Sequence, residues 1–188
     1  MQTDLRTTKL ILKMSKNSDL TIDVLVEIPK GSRNKYEYDK EKKMIRYDRM
    51  IFSSMHYPSD YGFVPDTLAL DGDALDALVL VSAPTFPGCL IEVKPIGLFK
   101  MFDEKGPDHK LITVPISDPV WSKINSLEEM NPHLISEIEH FFQVYKDLEK
   151  KKVGVEGWES KEHAIEAIIT SQERYAREQR EMLVTLEN

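Results

Sequence analysis

Leu20, Ile22, Val24, Val26 and Ile28 are apolar and alternate with Thr21, Asp23 and Glu27. A period of two sends the two sets to opposite faces, so the stretch predicts a half-buried strand with Glu27 on its polar side. Pro29-Lys30-Gly31-Ser32 ends it, since Pro and Gly break the ladder. Tyr36 and Tyr38 then alternate with Lys35 and Glu37, and a polar run from Asp39 to Lys43 leads to Met44-Ile45-Arg46-Tyr47. That pattern predicts a hairpin, with Lys35 and Glu37 on one face and Arg49 just past the second strand. Further short apolar runs, at Leu75–Val81, Leu90–Phe99 (interrupted by Pro95) and Leu111–Ile116, read as three more strands.

The period changes in the last third of the chain. Asn131-Pro132 is a helix start, with Asn as cap and Pro in the first turn. Leu134, Ile138, Phe141, Tyr145 and Leu148 follow at steps of four and three, one apolar stripe of a helix. Lys150, Lys151 and Lys152 close that helix, where positive charge suits the dipole. A second helix starts at cap Ser160 and runs past Arg180. Strands first and helices last predict an α+β fold: a small antiparallel sheet or barrel with helices packed on it.

Composition narrows the class. Apolar residues are 41% of the 188 and charged residues 30%, a globular rather than a disordered balance. There is no repeat and no linker, so residues 1–188 read as one domain. No apolar run reaches membrane-spanning length, and Met1-Gln2-Thr3-Asp4-Leu5-Arg6 has no signal-peptide core, which predicts a cytoplasmic protein without a membrane partner. The lone Cys89 forms no internal disulfide. A net charge of −7 argues against a nucleic-acid partner, which calls for a basic face.

The acids are not scattered evenly. Asp71-Gly72-Asp73-Ala74-Leu75-Asp76 sets three carboxylates around a glycine turn, where they repel one another unless a cation intervenes. Hard divalent cations take such oxygen ligands, and Mg²⁺ keeps several waters and bridges to phosphates. An arbitrary Asp-Gly-Asp is more often a solvated turn. An EF-hand is excluded because Leu75 and Ser82 stand where that loop needs oxygen ligands. A second acidic turn, Asp103-Glu104-Lys105-Gly106-Pro107-Asp108, lets Asp103 and Asp108 converge from its two arms. Lys110 follows Asp108 by two, so both face one side of a strand. Tyr57 and Tyr61 flank another turn, and Tyr145 lies on the apolar stripe beside Lys146.

These motifs together are more specific than any one of them. Glu27-Ile28-Pro29, Asn34-Lys35-Tyr36-Glu37, Asp48-Arg49, Tyr57-Pro58, Asp60-Tyr61-Gly62, Asp71-Gly72-Asp73 and Tyr145-Lys146-Asp147-Leu148-Glu149 stand in the order of the family I soluble inorganic pyrophosphatases, and the chain resembles that family from about Leu20 to its last helix. One position departs: Ala74 stands where the family's acidic signature has Pro or Glu.

The resemblance implies a five-stranded, OB-like barrel with flanking C-terminal helices, and hydrolysis of pyrophosphate to two phosphates in a carboxylate-lined cleft holding several Mg²⁺ ions. It implies Asp71, Asp76, Asp103 and Asp108 as metal ligands, with Glu27 acting through a further ion and its waters. Asp73 becomes the general base for the attacking water. Lys35, Arg49, Tyr61, Lys110, Tyr145 and Lys146 become phosphate-binding groups, with Glu37 and Tyr57 in support. Bacterial members usually form hexamers, so the resemblance implies a homo-oligomer. The chemistry agrees, because phosphoryl transfer to water needs charge neutralisation and positioning more than a covalent nucleophile. Rival readings are an oligonucleotide-binding barrel, which calls for a basic aromatic groove, a non-catalytic cation binder, which leaves the ordered Lys, Arg and Tyr unexplained, and a hydrolase of organic diphosphates.

Overall fold

The computed structural model describes residues 20–186, and the reading made on Met1–Arg6 lies outside them. Strands β1 (Ile22–Ile28), β4 (Asp60–Phe63), β5 (Asp76–Val79), β8 (Lys110–Pro115) and β6 (Leu90–Asp103) pair in that order. β6 returns to pair with β1, so the strands form a ring of five rather than a smoothly closed barrel. Within the ring only β5–β8 is parallel, with Asp76 opposite Lys110. The short β7 (Gly106–Pro107) folds back on β6, and β9 (Gly154–Glu159) pairs with the far half of β6. Strands β2 (Asn34–Asp39) and β3 (Met44–Met50) make a separate two-stranded hairpin.

The alternation in β1 holds: Ile22, Val24, Val26 and Ile28 are buried, while Asp23 is exposed and Glu27 partly so. All of β8 is buried, so its polar residues need partners; Thr113 Oγ1 donates to the Leu78 carbonyl at 2.8 Å. At Gly62 and Gly97 the chain passes too close to its neighbours for a side chain. A Cβ on Gly62 would lie 2.0 Å from the Leu25 carbonyl oxygen, and one on Gly97 would meet the Leu127 side chain at 2.4 Å. Any side chain there would push β4 off β1, or β6 off the turn that carries Leu127.

Helix α1 (Pro132–Val144) is capped by Asn131, whose side chain accepts from the His133 N–H at 2.9 Å. It is shorter than the apolar stripe predicts. Tyr145 is its C-cap, a 3-10 turn follows at Asp147–Glu149, and Lys150 is left-handed at φ 57°. Leu148 is consequently exposed, and the lysines at 150–152 follow that turn instead of closing the helix. Ile138, Phe141 and Phe142 of α1 enter one core with Tyr57, Tyr61 and Phe99, and burying each large side chain contributes about 1.5–3 kcal/mol. Helix α2 (Lys161–Leu186) covers the other side, where Ala164 and Ile168 join a second core with Leu20, Val24 and Leu98. Among the described residues no helix is long and apolar enough to cross a membrane.

Candidate active site

One cleft of about 570 Å³ opens between the ring, the hairpin and the end of α1. Nine carboxylates and six cations line it, and they enter from different elements. Glu27 comes from the polar face of β1. The loop before β5 brings Asp71 and Asp73, and the first residue of β5 brings Asp76. The last residue of β6 supplies Asp103, with Asp108 just beyond β7. The hairpin supplies Lys35, Glu37 and Arg49, β4 supplies Tyr61, and the C-terminus of α1 supplies Tyr145 and Lys146. Arg49 lies within β3, not past it as the apolar pattern implies.

Two expected residues sit behind the lining. Tyr57 is buried, its ring 5.4 Å from Tyr61 and 5.0 Å from Phe141, so it backs Tyr61 through packing. Lys110 is 1% exposed and donates to Asp76 at 2.7 Å and Asp108 at 2.6 Å. The structure therefore places this ammonium beneath two carboxylates instead of at the open surface. Asp108 and Lys110 do share one side of the chain, as their spacing predicts.

Lys35, Arg49, Lys105, Lys146 and Lys151 of the cleft are each paired with acid. Lys35 bridges Glu37 and Asp48. Arg49 bonds Asp48 and grips Glu149 with two nitrogens, at 3.0 and 2.8 Å. Lys146 donates to Asp103 at 3.1 Å, and Lys105 to Asp73 at 3.2 Å. Tyr61 donates to Asp76. Burial opposes ionisation of Asp48, but Lys35 and Arg49 outweigh it and hold the carboxyl below its usual range. Asp103 is likewise lowered: burial works against it, and the Lys105 N–H and Lys146 prevail.

Other carboxyls move the opposite way. Burial pushes Glu27 up to about 7, although the Tyr38 N–H donates to it at 2.6 Å. Burial also raises Asp71, and raises Asp76 despite Lys110 beside it. Burial is the chief cause in all three, and it disfavours the charged carboxylate until a cation offsets it. All the spare donors are hard carboxylate oxygens, the chemistry that suits Mg²⁺. Among the described residues no three His, Cys, Asp or Glu side chains already form a metal cage. An ion bound through one or two carboxylates that keeps its waters fits such a donor set better than one needing a full protein shell.

Sequence reasoning passed over Tyr38, Lys40, Glu104, Lys105 and Lys151, which also line the cleft, and it gave no role to Asp48 and Glu149. The Asp48-Arg49 and Tyr145–Glu149 motifs were the signal for the last two, since an arginine that must hold a fixed pose needs partners.

A ring of strands whose rim interleaves carboxylates with lysine, arginine and phenols has the chemistry to take a phosphate anion together with a hard cation. The match to known proteins makes that chemistry specific. The family model for inorganic pyrophosphatase matches residues 24–176. An inorganic pyrophosphatase of Methanosarcina acetivorans is 61% identical over 152 residues, which is 81% of this chain and 90% of the relative. One of Halalkalibacterium halodurans is 51% identical, with 82% and 94% covered. The crystal structure of inorganic pyrophosphatase from Thermus thermophilus superposes with a TM-score of 0.81 at 42% identity, covering 83% of this chain and 91% of that one. The chain belongs to the inorganic pyrophosphatase family.

Proposed function

We propose that this protein hydrolyses inorganic pyrophosphate to two phosphates by direct attack of water, with Mg²⁺ as cofactor and Asp73 as general base. The observation that carries the reading is the interleaving of acid and base in one cleft of a chain of this family. Asp71, Asp76, Asp103 and Asp108 hold the Mg²⁺, with Glu27 beside them. When bound, the metal supplies positive charge against pyrophosphate and acidifies a water.

The protein's own groups do the rest. The Asp73 side chain is 62% exposed, so water reaches the carboxyl oxygens that are to take its proton. Lys35, Arg49, Lys146 and the Tyr61 and Tyr145 hydroxyls hold phosphate oxygens, the guanidinium as a planar fork and the ammonium groups as point charges. Lys110 is assigned to this set by resemblance. Its bonds to Asp76 and Asp108 also fix those two carboxylates in place. Glu37 and Tyr57 steady Lys35 and Tyr61.

Phosphate release from Mg-pyrophosphate, compared with a nucleoside diphosphate and triphosphate, tests the proposal. The expected result is rapid release from pyrophosphate and little from either nucleotide. Equal turnover of all three would support the organic-diphosphate reading instead.

A further inference from the structure

The acidic turn between β6 and β7 carries a cation that the assignment above leaves without work. Lys105 lines the cleft, and its ammonium reaches across to Asp73 Oδ2 at 3.2 Å, joining two loops 32 residues apart. Its backbone is fixed, because the Lys105 N–H donates to Asp103 Oδ1 at 2.8 Å. Only the flexible four-carbon stem is free to swing.

Lys35, Arg49, Lys110 and Lys146 are held harder than this. Lys110 is buried between two carboxylates, Lys35 and Arg49 each bond two, and the Lys146–Asp103 pair is 12% and 17% exposed. The Lys105–Asp73 pair is 66% and 62% exposed and involves one carboxylate. Exposed pairs of this kind are weak and screened by salt. A polyanion such as pyrophosphate competes for this ammonium more readily than for Lys35, Arg49, Lys110 or Lys146.

We propose that Lys105 is a further phosphate-binding residue of the cleft, exchanging Asp73 for a phosphate oxygen when pyrophosphate enters. The exchange has two effects at once: it adds a cation to the substrate and frees the Asp73 carboxylate for water. The inference rests on the pyrophosphatase reading.

Steady-state kinetics of Lys105→Ala and Lys105→Arg test it, together with calorimetric binding of the non-hydrolysable analogue imidodiphosphate. Loss of one charge-assisted contact on an exposed stem predicts a rise in KM and a fall in analogue affinity of about five- to ten-fold for Lys105→Ala. The change in kcat should be much smaller, and Lys105→Arg should recover most of the affinity. Unchanged KM and analogue affinity in Lys105→Ala, in a wild type that does hydrolyse pyrophosphate, would overturn this inference alone. So would tighter binding, which would make Lys105 a plug on Asp73. A wild type that binds the analogue through Lys105 yet releases no phosphate would sink the function and leave the contact standing.

Discussion

The two sides of the cleft use the same charged residue types in different settings. On the ring side, Lys110 of β8 is buried and clamped by Asp76, opposite it on β5, and by Asp108 two residues before it. On the hairpin side, Lys35 and Arg49 are 21% and 23% exposed on a two-stranded arm that forms its own sheet. Met44, Tyr47 and Met50 of that arm lie exposed, and its apolar anchors are Tyr36 against the core and the Tyr38 ring 5.9 Å from Phe63. Its polar ties are the Tyr38 N–H on Glu27 and the grip of Arg49 on Glu149. Charge on the ring is preset by packing, whereas charge on the arm can follow a ligand. The ring side should therefore govern metal and chemistry, and the arm should govern substrate capture.

Removing the metal is the harshest test of the ring side. Chelation should abolish turnover and added Mg²⁺ should restore it, because the carboxylates there outnumber their lysines. Calcium should bind but support little turnover, since its larger, looser shell misplaces the water. Activity that persists in metal-free buffer, measured as phosphate release, would contradict the division.

Within the ring the roles separate further. Asp73→Asn should lower kcat by about 10²–10⁴-fold, the range for a lost general base, with Mg²⁺ affinity largely kept. Asp76→Asn should instead weaken Mg²⁺ binding and disturb Lys110, which loses a charged partner. Metal titration beside kinetics distinguishes the two.

On the arm, Arg49→Lys keeps the charge but loses the planar fork that now grips Glu149. We expect kcat/KM to fall about ten-fold, mostly through KM, as a fork becomes a point charge. Thermal melting should move little. A kcat effect without a KM effect would place Arg49 on the chemical side.

Glu27, where arm meets ring, gives the smallest effect and a pH signature. Its carboxyl rises from 4.5 to about 7 in the folded protein. Between those values the unfolded chain ionises while the native one stays protonated. Its contribution to stability is full below pH 4.5 and is lost as pH rises through 7, in total on the order of 3 kcal/mol. Metal-free Glu27→Gln should thus be more stable than wild type at pH 8, by about 1–3 kcal/mol, and equal to it at pH 4. Denaturant melts at the two pH values read this out. A wild-type melt independent of pH across that window would remove the burial argument.

Much of the ring was legible in the sequence and some of it was not. The alternation in β1 survived because that strand has one buried and one wet face, whereas the hairpin, with no fully buried residue, showed through its tyrosine alternation and polar turn. β4 went unseen because Asp60–Phe63 is four residues long, follows Pro58 and contains Gly62, so no period can show. β9 went unseen because Gly154 and Gly157 break its pattern, and its pairing is with a distant edge of β6. The apolar stripe overran α1 because periodicity ignores the left-handed turn at Lys150. At the site, the resemblance named fourteen side chains, and all but Tyr57 and Lys110 line one cleft. Depth was the part that spacing could not give. Asp108 and Lys110 share a side by alternation, but Lys110 is buried because parallel pairing sets Asp76 next to it, a contact 34 residues away in sequence.

Phosphate release from pyrophosphate by wild type and Asp73→Asn, side by side at saturating Mg²⁺ with metal binding measured on the same samples, tests the central claim most directly. The account predicts rapid wild-type turnover and a loss of at least about 100-fold in the variant, with metal still bound. A wild type that leaves pyrophosphate intact, or a variant that matches it, would contradict the account.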